Sequence, residues 1–310
     1  MSTTAAQQKG TRSRAKVVAW AVPLSLVLLI ATVLLARWLR FETSAGDFIA
    51  AYSGEVHLPE AAPVGFPAWL AWQHFLNVFL LILLVRSGWL IRSTRRPAAY
   101  WTRDNSGRIK TKGQPEKHSI NHWLHFSIDW AWMLNGVVFV ALLFVSGQWI
   151  RIVPTSWEFI PHAISVALQY ASLEWPIENG WVNYNALQVL AYFTTVFIAA
   201  PLAAATGFRM SPLWHSTWER PSRLFPIQLA RRMHFPVMIY FVAFTAVHTA
   251  LVLATGARRN LNHMYAARDD GGWLGLIFFA LSVAIIVTAW VLARPMVLRP
   301  IAQLSGKVGR

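Results

Sequence analysis

The sequence predicts an all-α integral membrane protein that crosses the bilayer six times, and three observations carry this. The chain has 310 residues, 55% of them hydrophobic and 13% charged. Its apolar residues fall in blocks of about twenty rather than in amphipathic stripes, which is the pattern of membrane spans. The Lys and Arg behind a net charge of +15 sit between those blocks, a distribution that reads as topology and not as a nucleic-acid surface. Cysteine is absent, which excludes disulfides, Cys-ligated zinc, iron–sulfur clusters and covalently attached haem. Histidine is left as the strong metal ligand of the apolar segments.

In chain order, residues 1–16 form a basic tail (Lys9, Arg12, Arg14, Lys16), expected on the cytoplasmic side. The block 17–38 is too long and too poorly terminated for a cleaved signal peptide and reads as the first span. Residues 40–68 carry Glu42, Asp47, Glu55, Glu60 and several prolines, a solvent-exposed loop. The second span, 69–91, contains Gln73, His74, Asn77 and Arg86, and eight Lys or Arg follow in 92–121. The third span, 120–146, opens with His122, His125 and Asp129. The segment 148–183 is broken by Glu158, Gln169 and Glu174. It is expected to hold an interfacial helix over 157–175, with Trp157 and Trp175 at headgroup depth. The fourth span, 184–206, should kink at Pro201. The fifth (232–255) and sixth (273–293) complete a single transmembrane domain, 17–293, before a basic tail, 294–310.

Positive charge sets the expected topology. With six spans and both termini cytoplasmic, inner segments hold 21 Lys or Arg and outer segments six, with Arg86 inside a span. A seventh span at 157–175 would reduce that bias to 15 against 12, so six is favoured.

The stretch RRMHFPVMIYFVAFTAVHTALVLATG at 231–256 holds His234 and His248. Fourteen helical steps return to within about 40° of the starting direction and climb about 21 Å, so both imidazoles leave one face, one near each leaflet. In the predicted topology His74 matches the depth of His248, while His122 and His125 match His234. Two histidine pairs, one per leaflet, is the arrangement that bis-histidine ligation of two haems across a bundle requires. A single intramembrane histidine is more often a hydrogen-bonded packing residue. His122 and His125 lie one turn apart and can face one groove. Either can be the ligand, with the other bonding a propionate, a quinone or a backbone carbonyl.

Asp129 is an acid inside a span, and such residues are costly and usually paired or functional. It either bonds a histidine or an indole, or exchanges protons beside a quinone. Arg86, Arg231 and Arg232 either pair with haem propionates or snorkel to the interface. His57, His118, His162, His215 and His263 fall in loops or interfaces and are read as solvated. His162 also lies where a seven-span variant would take a second ligand. Gly88, Gly136, Gly147, Gly207 and Gly256 allow close approach of helices or of a macrocycle.

NHWLHF at 121–126 runs into a span ending in SG at 146–147. YNALQ at 184–188 leads to TG at 206–207, and the histidine pair 234/248 follows. In these pieces and their order, over about residues 118–256, the chain resembles the membrane cytochrome b subunits of formate dehydrogenase, thiosulfate reductase and nickel–iron hydrogenase. The resemblance implies a four-helix di-haem core carrying two b haems, which links a redox enzyme's catalytic subunits to the quinone pool. It implies His122, His234 and His248 as ligands. The family's remaining ligand follows the His-Trp helix, whereas here His74, on an earlier span, is the better substitute. QHFLNVFLLILLVRSG at 73–88 and the long basic loop are similar to actinobacterial cytochrome b proteins that accompany molybdopterin oxidoreductases. The expected function is electron transfer in the bacterial cytoplasmic membrane between menaquinone or ubiquinone and a molybdopterin-type partner subunit. The alternatives are a transmembrane haem metalloreductase and a haem-free transporter or membrane anchor. A transporter would show broken helices and inverted halves.

Overall fold

The computed structural model describes residues 3–106, 115–176, 179–215 and 217–310, with side chains from residue 19 onward. Arg108, Lys110 and Lys112 of the basic segment lie outside the described residues, as do the side chains of the N-terminal tail. The fold is all-helical apart from one small sheet, and among the described residues six helical stretches are long and apolar enough to cross a membrane. They are Ala19–Glu42, Ala68–Ser93, Ile120–Val145, Ala186–Met210, Ile227–Ala254 and Leu274–Leu292. Leu29, Leu134, Val137, Leu281 and Val287 on these stretches are each more than half exposed, a surface that lipid covers and water would not tolerate.

The chain divides into two compact units. The first comprises Met1–Pro59, Ile152–Asn179 and Asn183–Ala191. It contains α1 (Thr3–Glu42), α2 (Ala45–Ala51), α5 (Phe159–Ala171) and the start of α6 (Ala186–Phe193). Arg40 Nη1 donates to Ser172 Oγ and to the Glu174 carbonyl, both at 3.0 Å, and Arg37 pairs with the Glu174 carboxylate at 3.3 Å. Gly54 has φ 108°, and a Cβ there would lie 2.5 Å from Val166 Cγ2, so the position requires glycine. Its N–H donates to His162 Nδ1 at 3.1 Å and its carbonyl accepts from Ala186 N at 2.8 Å. Asn185 Oδ1 accepts from Gln188 N while Gln188 Oε1 accepts from Asn185 N. This reciprocal cap starts α6 inside the YNALQ stretch.

The second unit comprises Glu60–Arg151, Gly180–Val182 and Tyr192–Arg310. Its long helices are α3 (Ala68–Ser93), α4 (Ile120–Val145), α7 (Ala200–Met210), α9 (Ile227–Ala254) and α11 (Leu274–Leu292), joined by the short α8 (Glu219–Leu224), α10 (Ala257–Ala266) and α12 (Pro295–Gln303). Asn135 Nδ2 donates to Asn77 Oδ1 at 2.8 Å between α4 and α3, the kind of polar tie that holds helices together in lipid. Before Pro201 the helix takes a π turn over Thr194–Ala199. Pro201 offers no N–H to the Phe197 carbonyl, and one residue earlier Ala200 N bonds to Thr195 O, five back where an α-helix bonds four back. The distortion is therefore a slip in register that precedes the proline.

The basic segment and the C-terminal stretch fold together. β1 (Tyr100–Arg103) lies between β2 (Lys117–Ser119) and β3 (Gly306–Gly309), antiparallel to both. A Cβ on Gly306 would lie 2.3 Å from the Thr102 carbonyl oxygen, so only glycine lets β3 this close. Leu298 and Ala302 of α12 pack with Leu83, Ile120, Leu124 and Ile128 beneath this sheet. Strands of three or four residues are too short to show a two-residue period, which is why the sequence reads as loop and tail here.

Arg151, counted by sequence among the outer charges, is 1% exposed. Its guanidinium donates to the carbonyls of Gly65 (2.8 Å) and Gly180 (2.6 Å) and lies 4.9 Å from the Phe66 ring centre. α10 packs on α11 through Gly275, where a Cβ would sit 2.3 Å from Asn262 Cα and from the Leu261 carbonyl oxygen. Gly275→Ala should therefore destabilise the protein by about 1–3 kcal/mol through overpacking, read as a lowered Tm in detergent. Gly136→Ala should not lower Tm, because a Cβ at Gly136 meets nothing within 4 Å.

Candidate functional site

In the second unit the four histidines of the long helices meet as two pairs. α3 supplies His74 near its start, α4 supplies His125, and α9 supplies His234 near its start and His248 near its end. The ring centres of His74 and His248 are 6.3 Å apart, and those of His125 and His234 are 6.4 Å apart. His122 points elsewhere. Its Nδ1 is 2.7 Å from Ser119 Oγ, which also accepts the His122 N–H as the N-cap of α4. His125, and not His122, is the one that faces His234.

The spacing of the pairs can be tested against a metal. A metal–imidazole bond is about 2 Å, and a ring nitrogen lies roughly 1 Å from its ring centre, so two imidazoles on opposite sides of one ion have centres roughly 6 Å apart. Both pairs meet that figure. Among the described residues no three His, Cys, Asp or Glu side chains converge on a point that would hold a bare ion. Each pair could hold a metal whose other ligands come from a macrocycle, as in haem.

The tautomers fit too. Ser87 Oγ donates to the Leu84 carbonyl at 3.0 Å and lies 2.8 Å from His125 Nδ1. Thr206 Oγ1 donates to the Leu202 carbonyl at 2.7 Å and lies 2.8 Å from His234 Nδ1. A hydroxyl has one proton. With it given to the carbonyl, the oxygen would accept from Nδ1–H, and Nε2 of each ring would keep its lone pair. At the other pair, His74 Nδ1 is buried with no hydrogen-bond partner among the described residues. The His74 ring has Tyr265 edge-on at 5.5 Å, while His248 stacks on Phe244 at 5.5 Å and 4° and meets Tyr192 edge-on.

The other nominated residues are placed as follows. Asp129 Oδ2 is 4.0 Å from His125 Nε2, one turn along α4. Arg86 Nη1 donates to the Ala293 carbonyl at 2.7 Å, and its guanidinium lies 5.1 Å from the Trp290 ring centre. Arg231 and Arg232 are exposed. A Cβ on Gly88 would touch His125 Cε1 at 3.5 Å, and one on Gly207 would touch His234 Cε1 at 3.6 Å.

Sequence reasoning passed over Ser87, Thr206, Tyr192 and Tyr265. The first two carried a signal, since each precedes a glycine already singled out. The tyrosines carried none, because the return of α10 onto α3 leaves no periodic trace. His57 and His215 are exposed, and His162 Nδ1 accepts a backbone N–H in the first unit. His263 corrects the solvated reading. It is 3% exposed, with Phe66 and Trp181 against its ring and Nε2 2.7 Å from Asp269 Oδ1. Burial holds the His263 imidazole below its usual range, against the opposing pull of Asp269. Hydrogen bonds from His263 and Arg259 hold Asp269 below the usual carboxylate range. Burial pushes the Tyr265 phenol up to about 12, so it stays un-ionised.

A family model described as prokaryotic cytochrome b561 matches residues 65–266, a range that contains all four paired histidines with Ser87, Thr206 and Tyr265. The chain is also similar to a curated protein of Azospira oryzae provisionally named protein-methionine-sulfoxide reductase subunit YedZ1. The two are 28% identical over 207 residues, covering 60% of this chain and 88% of the relative. No solved structure matches the chain.

The sign of the pH dependence follows from the His263–Asp269 contact. His263, lowered by burial, contributes stability that is present above the ordinary histidine pKa and is lost as pH falls through its lowered value. Asp269, also lowered, loses its contribution at still lower pH. Hydrogen exchange over 257–272, corrected for the intrinsic pH dependence, should therefore quicken as pH falls below the ordinary histidine range. Asp269→Ala should quicken it already at neutral pH. Exchange in 257–272 that stays in step with α11 across this range would reject the coupling.

Proposed function

The chain belongs to the prokaryotic cytochrome b561 family, and on that premise we propose that His74 with His248 and His125 with His234 hold two b haems. These haems would carry electrons between a quinone and a partner redox subunit. Membership makes it a multi-pass protein of the cytoplasmic membrane whose class of work is haem-b electron transfer. The observation that carries the finer reading is the recurrence of one ring separation, 6.3 and 6.4 Å, at both ends of α9. Each haem, once bound, supplies a one-electron carrier. The protein would supply one ring nitrogen from each of the four histidines, and Ser87 and Thr206 would set the tautomers of His125 and His234.

His125 takes the ligand role that the family resemblance gave to His122, because its ring is the one opposite His234. His122 then serves the start of α4. Arg86, Arg231 and Arg232 are proposed as cations for the propionates, and Asp129 as the carboxyl beside the quinone. The positive-charge bias favours the His125–His234 pair on the cytoplasmic side and the His74–His248 pair on the outer side. The description of the Azospira relative as a reductase subunit supports a partner subunit with its own redox chemistry. A molybdopterin enzyme is the partner proposed.

Pyridine haemochrome quantitation of the purified protein tests the assignment. Wild type should hold two b haems per chain, His125→Ala and His248→Ala one each, and His122→Ala two. Loss of a haem in His122→Ala with two retained in His125→Ala would reverse the ligand choice. No haem in material expressed with haem supplied would overturn the function.

A further inference from the structure

Ser87 and Thr206 stand in the same relation to the two rings of one pair. Both are fully buried, both precede a glycine, and both place an oxygen 2.8 Å from Nδ1 of the facing histidine. A serine or threonine bonded to a carbonyl one turn back is common in a membrane helix and by itself means only packing. Here the bond to the carbonyl has a chemical result. It makes each hydroxyl oxygen an acceptor for Nδ1–H, on two rings carried by two helices and met from two others. The His74–His248 pair is built differently, with a buried, unpartnered His74 Nδ1 and aromatic rings against both imidazoles.

An imidazole that donates a hydrogen bond through Nδ1 gains anionic character and becomes the stronger donor through Nε2. A stronger axial donor favours the oxidised metal, so hydrogen bonding around the ligands is one of the means by which a protein sets a haem potential. We propose that Ser87 and Thr206 are positioning residues that lower the reduction potential of the haem held by His125 and His234 relative to that held by His74 and His248. The inference rests on the two-haem reading. It gives the pair of haems a built-in direction: an electron placed on the His125–His234 haem moves downhill to the other.

Potentiometric titration of the haem-loaded protein, followed in the visible spectrum, reads the effect. The wave that disappears in His125→Ala identifies the haem in question, and it should be the lower of the two. Ser87→Ala and Thr206→Val should each move that wave upward, by up to about tenfold in the reduction equilibrium, or about 59 mV for one electron. The other wave should stay in place. Ser87→Thr and Thr206→Ser, which keep the acceptor, should leave both waves at their wild-type positions. A merely structural role would change haem occupancy and not potential. If Ser87→Ala sheds its haem, Ser87→Cys, a weaker acceptor of similar size, must still show a smaller upward shift. Two haems per chain with the His125–His234 wave unmoved or lowered in these variants would overturn the inference and leave the two-haem reading intact. A wild-type chain with one haem would remove that reading, and the inference with it.

Discussion

In a membrane interior, water does not complete the bonding of a polar ring, so each nitrogen of an intramembrane imidazole is satisfied by the protein or by a metal, or it is left costly. The long helices of the second unit are arranged around that constraint. At one pair, hydroxyls bonded to their own backbone lie 2.8 Å from Nδ1 of both rings. At the other pair the remaining space is filled by Tyr265, Phe244 and Tyr192.

α3 and α9 carry the same device. His74 and Gly88 are fourteen residues apart on α3, as His234 and His248 are on α9. Each helix thus presents one face to both sites. On α3 that face gives His74 at one site and the Ser87–Gly88 step, with its hydroxyl and its clearance, at the other. α4 and α7 divide the same parts at the His125–His234 site, α4 giving His125 and α7 giving Thr206 with Gly207.

The six spans were legible because apolar blocks of bilayer length have few competing explanations. The pairing of His74 with His248 was legible because the charge bias fixes direction and helical rise then fixes depth. The choice between His122 and His125 was not, since two residues one turn apart share a face and only the Ser119 cap separates their roles. The burial of His263, read as solvated, and of Arg151 went unforeseen for a common reason. Their partners, Asp269, Gly65 and Gly180, are either loop groups or backbone carbonyls, and the latter leave no mark in a side-chain pattern. The π turn before Pro201 was visible as a proline but not as a change of register, because sequence shows which bond is lost and not which replaces it.

The small sheet orders events in the life of the chain. Its central strand is β1, made early, yet one of the two strands beside it, β3, is synthesised only after all six spans. Until residues 306–309 emerge from the ribosome, one edge of β1 stays open. The cluster of Leu83, Ile120, Leu124 and Ile128 likewise waits for Leu298 and Ala302. The end of the bundle next to His125 is thus assembled last.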